Sequence, residues 1–161
     1  MREFRLILLV AASLASMCGA EESCPWLNAA TAAGVLGGAV HPAVAHASKN
    51  ADDATCDFVR REGSVVAELR IEVETMGASG RELAVYTARC RTNAAPLQAI
   101  GNEAVACSVD GKDGEIAEQA AGRVRNRVFL IRLSTNDPPA RRNVLREKAR
   151  DVAEQVAGTL F

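Results

Sequence analysis

The residues of this chain with the capacity for chemistry are five cysteines, of which four remain if Cys18 leaves with an N-terminal leader, two histidines beside two aspartates, a serine between glycines, and a cluster of arginines near a reversal. Cys24, Cys56, Cys90 and Cys107 form an even set, and no pair stands at the close C-x2-C spacing that grips zinc. In an oxidising compartment they are expected to form disulfides. Four cysteines allow three connectivities, and the sequence does not choose between them. Sequential pairing, Cys24 with Cys56 and Cys90 with Cys107, closes the shortest loops, at about 3 to 4 kcal/mol per bridge on the chain-entropy argument.

The other groupings point away from catalysis. His41 and His46, with Asp52 and Asp53 close by, are metal-ligand types, but five residues of spacing in a loop fix no coordination geometry, so a solvated loop is expected. Gly77-Ala78-Ser79-Gly80-Arg81 lacks the second glycine of a nucleophile elbow, and Ser79 reads as a helix cap. Cysteines held in disulfides offer no attacking thiolate. Gly34, Gly37 and Gly38 follow no strand and precede no Lys-Ser or Lys-Thr, so they punctuate a helix and cradle no phosphate. Asp110, Asp113 and Glu115 resemble calcium ligands, but Lys112 occupies the third position of the loop, which makes a hairpin turn the better reading. Arg123, Arg125 and Arg127 either present a cationic rim to an acidic partner or keep a hairpin edge soluble. No catalytic, cofactor-binding or metal-ligating residue is expected, and no cofactor.

The elements that position these residues begin after a leader. Met1 to Arg5 is short and basic, Leu6 to Ala15 is apolar, and Cys18-Gly19-Ala20 supplies the small residues before a cut, the three regions of a secretory signal. Cleavage is expected after Ala20; the rival is lipoprotein processing at Cys18, against which the large Met17 stands. Glu21 and Glu22 end the apolar run short of the roughly 20 residues of a spanning helix, so no stable transmembrane anchor is expected. The destination is secreted or periplasmic, or membrane-tethered if Cys18 carries lipid.

Residues 21–161 suit one domain with one core. The whole chain has 19 basic and 20 acidic residues; losing Arg2, Arg5 and Glu3 leaves 17 against 19, a net −2. Such a balance gives no reason to expect nucleic acid as a partner. Aromatic residues make up only 4%, so alanine and valine must build the core.

Asn28 caps a short Ala-rich helix that Gly37-Gly38 ends. Ala39 to Thr55 reads as a loop with room for a short edge strand. Cys56–Glu62 and Val65–Glu74 flank Gly63-Ser64 as a hairpin, and strict alternation in its second arm turns Leu69, Ile71 and Val73 to a core and Glu68, Arg70, Glu72 and Glu74 to water. Arg81 to about Asn93 has helical spacing, Glu103 to Val109 and Glu115 to Arg125 read as strands, and Asn126 makes the reversal into Val128–Ser134. That last strand is apolar on both sides, as an interior strand is. Asp137-Pro138 opens a long helix to Gly158 with Leu145, Ala149, Val152 and Val156 inward and Arg141, Arg142, Arg146, Lys148 and Arg150 mostly outward, while Leu160 and Phe161 fold back. The expected fold is α+β, an antiparallel sheet packed by helices in the order α-β-β-α-β-β-β-α.

The phrases Cys24-Pro25-Trp26-Leu27, Gly34-Val35-Leu36-Gly37-Gly38, Cys56-Asp57-Phe58 and Ala99-Ile100-Gly101-Asn102-Glu103-Ala104, followed by Gly122-Arg123-Val124-Arg125-Asn126, occur in an order that resembles small secreted bacterial lipoproteins of unknown function and sensor-type domains with a PsbP-like fold. The resemblance spans nearly all of the chain after the leader. It implies an α/β/α sandwich and a binding or scaffolding role in the envelope without enzymatic activity, and it carries no functional residue across. The function expected is a non-catalytic domain that binds a small ligand or an envelope protein, through a pocket between sheet and helices or through the arginine-rich hairpin. The alternatives are a motif-less hydrolase using paired carboxylates, signalled by two carboxyls about 5 to 10 Å apart in a cleft, and a purely structural envelope component.

Overall fold

A computed structural model describes residues 23–46 and 53–161. The leader, its cut after Ala20, Cys18 and Asp52 lie outside the described residues.

The alternating run sets the architecture. In β3 (Val65–Thr75) Leu69, Ile71 and Val73 are fully buried. They stand opposite Leu133, Ile131 and Phe129 of β7 (Arg127–Thr135), so one face of this strand pair is continuous hydrocarbon. β7 is the fourth of seven strands, the place its two-sided apolar sequence demands. Around it are β1 (His41–His46), β2 (Ala54–Glu62), β4 (Ala95–Pro96), β5 (Glu103–Asp110) and β6 (Ile116–Val124), in the all-antiparallel order β1-β2-β3-β7-β6-β5-β4. Gly63-Ser64 forms the expected two-residue turn, with Gly63 at φ 59°.

Helices α1 (Ala29–Leu36) and α3 (Arg142–Thr159) lie against one face of the sheet. Leu145, Ala149, Val152 and Val156 of α3 are buried, the stripe its periodicity shows. On the other face the short α2 (Glu82–Thr87) inserts Tyr86 against Ala121, Val128 and Leu130. The fold is thus α+β with helices on both faces of one antiparallel sheet. The disulfides are Cys24–Cys56, which ties the entry of α1 to β2, and Cys90–Cys107, which ties the chain after α2 to β5.

Several local expectations are corrected. The 39–55 stretch contains a full strand, β1, in register with β2 along its length, and with β4 the order becomes α-β-β-β-α-β-β-β-β-α. Helix α2 stops at Thr87, because Cys90 is drawn to Cys107 and Arg91 N donates to Ser108 O at 2.9 Å, placing the following residues beside β5. Ser79 caps nothing; the residue before α2 is Arg81. Helix α3 begins at Arg142, not at Pro138. Pro139 biases Pro138 away from helical ψ, Ala140 N closes a turn onto Asp137 O, and Arg141 is extended at φ −113°, ψ 135°. At the β6–β7 turn it is Arg125, at φ 54°, that takes the left-handed conformation instead of Asn126. Leu160 packs against the core, but Phe161 is 64% exposed.

Candidate functional site

Asn28 caps α1 by accepting from Thr31 N at 2.8 Å. At the other end Gly37, at φ 78°, and Gly38 both donate to Ala33 O. Two of the other last-turn carbonyls are reached from elsewhere in the fold: Lys148 Nζ of α3 donates to Val35 O at 2.6 Å, and Arg60 Nη1 of β2 to Leu36 O at 3.1 Å. Cations here also complement the negative end of the helix. A Cβ on Gly38 would lie 2.9 Å from Arg60 Nε, so any side chain there would displace this arginine.

The first of these ties joins α1 to α3, and the second joins α1 to β2. Between α1 and α3 is a solvent-open cavity of about 500 Å³, within the range of small-molecule sites. Its apolar lining comes from Val35, Leu36, Ala67, Leu133, Val144 and Leu145, and Val144 is 41% exposed at the mouth. Four charged residues also line it: Arg60, Asp137, Arg141 and Lys148. Arg60 is further paired with Glu62. Neither the Arg141 guanidinium nor the Asp137 carboxylate has a partner among the described residues. Arg141 is also the residue that precedes α3, whose first turn has no side-chain cap. Chemically this is a surface that can desolvate an apolar body and meet a charged head.

A second polar cluster lies under α3. Glu118 of β6 has no exposed surface, and its carboxylate accepts from Ser108 Oγ at 2.6 Å, Arg142 Nη1 at 3.2 Å and Arg146 Nε at 2.9 Å. Arg146 Nη2 also donates to Ser108 Oγ at 3.0 Å. The carboxylate is satisfied on both oxygens, so the cluster is a clamp between helix and sheet. Arg142, Arg146 and Lys148 therefore do not simply extend into solvent as the helical pattern suggests: the partly exposed Arg142 and Arg146 turn back to the buried Glu118, and Lys148 to Val35 O. A carboxylate beside Gln119 in the mostly apolar Ile116-Ala117-Glu118-Gln119-Ala120-Ala121 was the available signal, because a buried charge must have a partner.

On the opposite face Glu72, Glu74, Glu82, Tyr86 and Arg89 line a small cleft of about 160 Å³. Tyr86 OH donates to Glu72 Oε2 at 3.4 Å, and Glu82 Oε1 accepts from Gly77 N at 2.8 Å. Burial, then the Glu72 charge, raises the Glu74 pKa. Burial, followed by the charges of Glu72 and Glu74, likewise pushes the Tyr86 hydroxyl well above the usual phenol range.

The arginines of the reversal have different partners. Arg123 pairs with Glu103 at 2.9 Å, Arg125 lies 5.9 Å from the Phe161 ring centroid, and Arg127, 18% exposed, pairs with Asp53 at 3.6 Å. Asp53 is itself occupied with Thr75, accepting from its N at 2.8 Å and its Oγ1 at 2.9 Å. His41 and His46 stand at opposite ends of β1, about 16 Å apart at the strand rise. Asp110 pairs with Arg91 at 3.2 Å, and Lys112 and Glu115 close the turn.

The fold defines a class: a disulfide-stapled α+β domain with a single antiparallel sheet. No family model, no curated protein and no solved structure matches the chain.

Proposed function

We propose that this chain is a non-catalytic exported domain that binds a small ligand in the cavity between α1 and α3. One observation carries the reading: an apolar cavity of about 500 Å³ with Arg141 and Asp137 at its mouth, both without a partner among the described residues. Structural charges in this protein are tied to acceptors, as at Glu118, and an untied pair beside apolar surface is what a ligand site needs. Two disulfides suit an oxidising compartment, and no helix among the described residues is long and apolar enough to cross a membrane. Export through the 1–20 leader, cut after Ala20, agrees with both, and helices on both faces of the sheet agree with the PsbP-like sandwich. The test is native mass spectrometry of protein taken from the cell envelope. A retained small molecule that is absent from a Val144→Trp variant, whose indole fills the mouth, supports the reading. A ligand kept by that variant removes it.

The hydrolase reading has one observation in its favour, the carboxylate cleft in which burial and the neighbouring Glu72 raise the Glu74 pKa. Turnover of chromogenic glycosides that disappears in Glu74→Gln would put an enzyme in place of a binding domain.

A further inference from the structure

The cavity lining also restricts the chemistry of the ligand. We infer that it takes an amphipathic anion, a linear apolar chain ending in a single carboxylate, with the head on Arg141; this rests on the cavity being the binding site.

Three of its four charged residues are cations, and their commitments differ. Arg60 gives donors to Leu36 O and Glu62, and the Glu62 carboxylate compensates its charge. Lys148 gives one donor to Val35 O, and an ammonium has three, so two remain for the cavity. Arg141 has its whole fork available among the described residues, in the planar geometry that matches a carboxylate bidentately. The residue precedes the 18-residue α3, so the positive end of the helix adds to the same attraction.

The cavity-facing residues at this end are Arg141, which precedes α3, and Val144, Leu145 and Lys148, which share one face of it. A head on Arg141 therefore leaves the chain running over Val144 and Leu145 toward Ala67 and Leu133. Asp137 at the same mouth opposes a second negative charge, which favours a monoanion. A cationic head would meet Arg141 and Lys148, and a neutral one would leave Arg141 unrewarded.

The test titrates the intact disulfide-bonded protein with decanoate, decanol and decyltrimethylammonium at one salt concentration, following backbone amide NMR shifts. Decanoate is expected to bind at least roughly tenfold more tightly than the other two, and Arg141→Gln to remove about that factor for decanoate while leaving decanol unchanged. Val144→Trp should abolish shifts at Val35, Ala67 and Leu145 for every ligand. Equal affinity for the three heads, or decanoate binding unchanged in Arg141→Gln, overturns the inference about the head and leaves the cavity as a binding site. Binding that survives Val144→Trp overturns both. If none of the three ligands shifts cavity amides, the inference fails, and the retained-ligand measurement then decides the cavity separately.

Discussion

Arg146 of α3 donates from Nε to Oε2 of Glu118 at 2.9 Å, and the two partners are unequally placed: the carboxylate is wholly buried, whereas the arginine side chain is 43% exposed. The clamp is therefore asymmetric. Removing Arg146 leaves the buried Oε2 without its donor, with Arg142 and Ser108 remaining on Oε1 only; removing the carboxylate releases two guanidinium groups that can turn to solvent. Arg146→Leu is expected to cost about 3 kcal/mol and Glu118→Leu about 1 kcal/mol. Urea denaturation of both variants checks this, and equal losses would show that Glu118 reaches water by another route.

The two disulfides close loops of different length, with sequence separations of 32 and 17. Loop entropy gives about 3.7 kcal/mol for Cys24–Cys56 and about 3.1 for Cys90–Cys107. Cys56 is also fully buried within the main core, beneath the entry to α1. The Cys24→Ala/Cys56→Ala double variant is expected to lose more thermal stability than Cys90→Ala/Cys107→Ala, and to loosen the cavity because α1 loses its covalent tie. Calorimetry gives the first comparison and amide exchange at Val35 and Leu36 the second.

Burial and the neighbouring Glu72 raise the Glu74 pKa above its ordinary 4.5, so this carboxyl holds its proton more firmly folded than unfolded. Its contribution to stability is complete below the ordinary value and is lost as pH rises through the folded one. Glu74→Gln keeps a neutral side chain at every pH. The variant is expected to match the native protein in mildly acidic urea titrations and to exceed it near neutrality. A difference that does not change with pH would contradict the assignment.

Gly122 of β6 stands where a Cβ would lie 2.6 Å from Phe129 Cζ and 2.8 Å from Glu103 O. Phe129 is fully buried in the core and cannot swing away. Gly122→Ala is therefore expected to destabilise by about 1 to 3 kcal/mol through overpacking. Gly34 has open space around its own Cβ position, and Gly34→Ala in α1 should instead gain up to about 1 kcal/mol. Thermal melts of the pair separate packing from propensity.

Wherever a signal is local, the residues of this chain state it themselves. Alternation places Leu69, Ile71 and Val73 inside, a two-sided apolar run sends β7 to the centre of the sheet, and Asn28 with Gly37 bounds α1. These outcomes depend on strand or helix period and on cap chemistry, which act within a few residues. Tertiary structure alone decided which cysteines meet, that α2 ends early against β5, and that Arg142, Arg146 and Lys148 turn inward to Glu118 and Val35. It also decided the cavity, whose walls come from five elements and the loop before α3. A long cationic side chain reads as solvent-facing until a buried acceptor from a distant strand is set within its reach, and helical period carries no information about that distance.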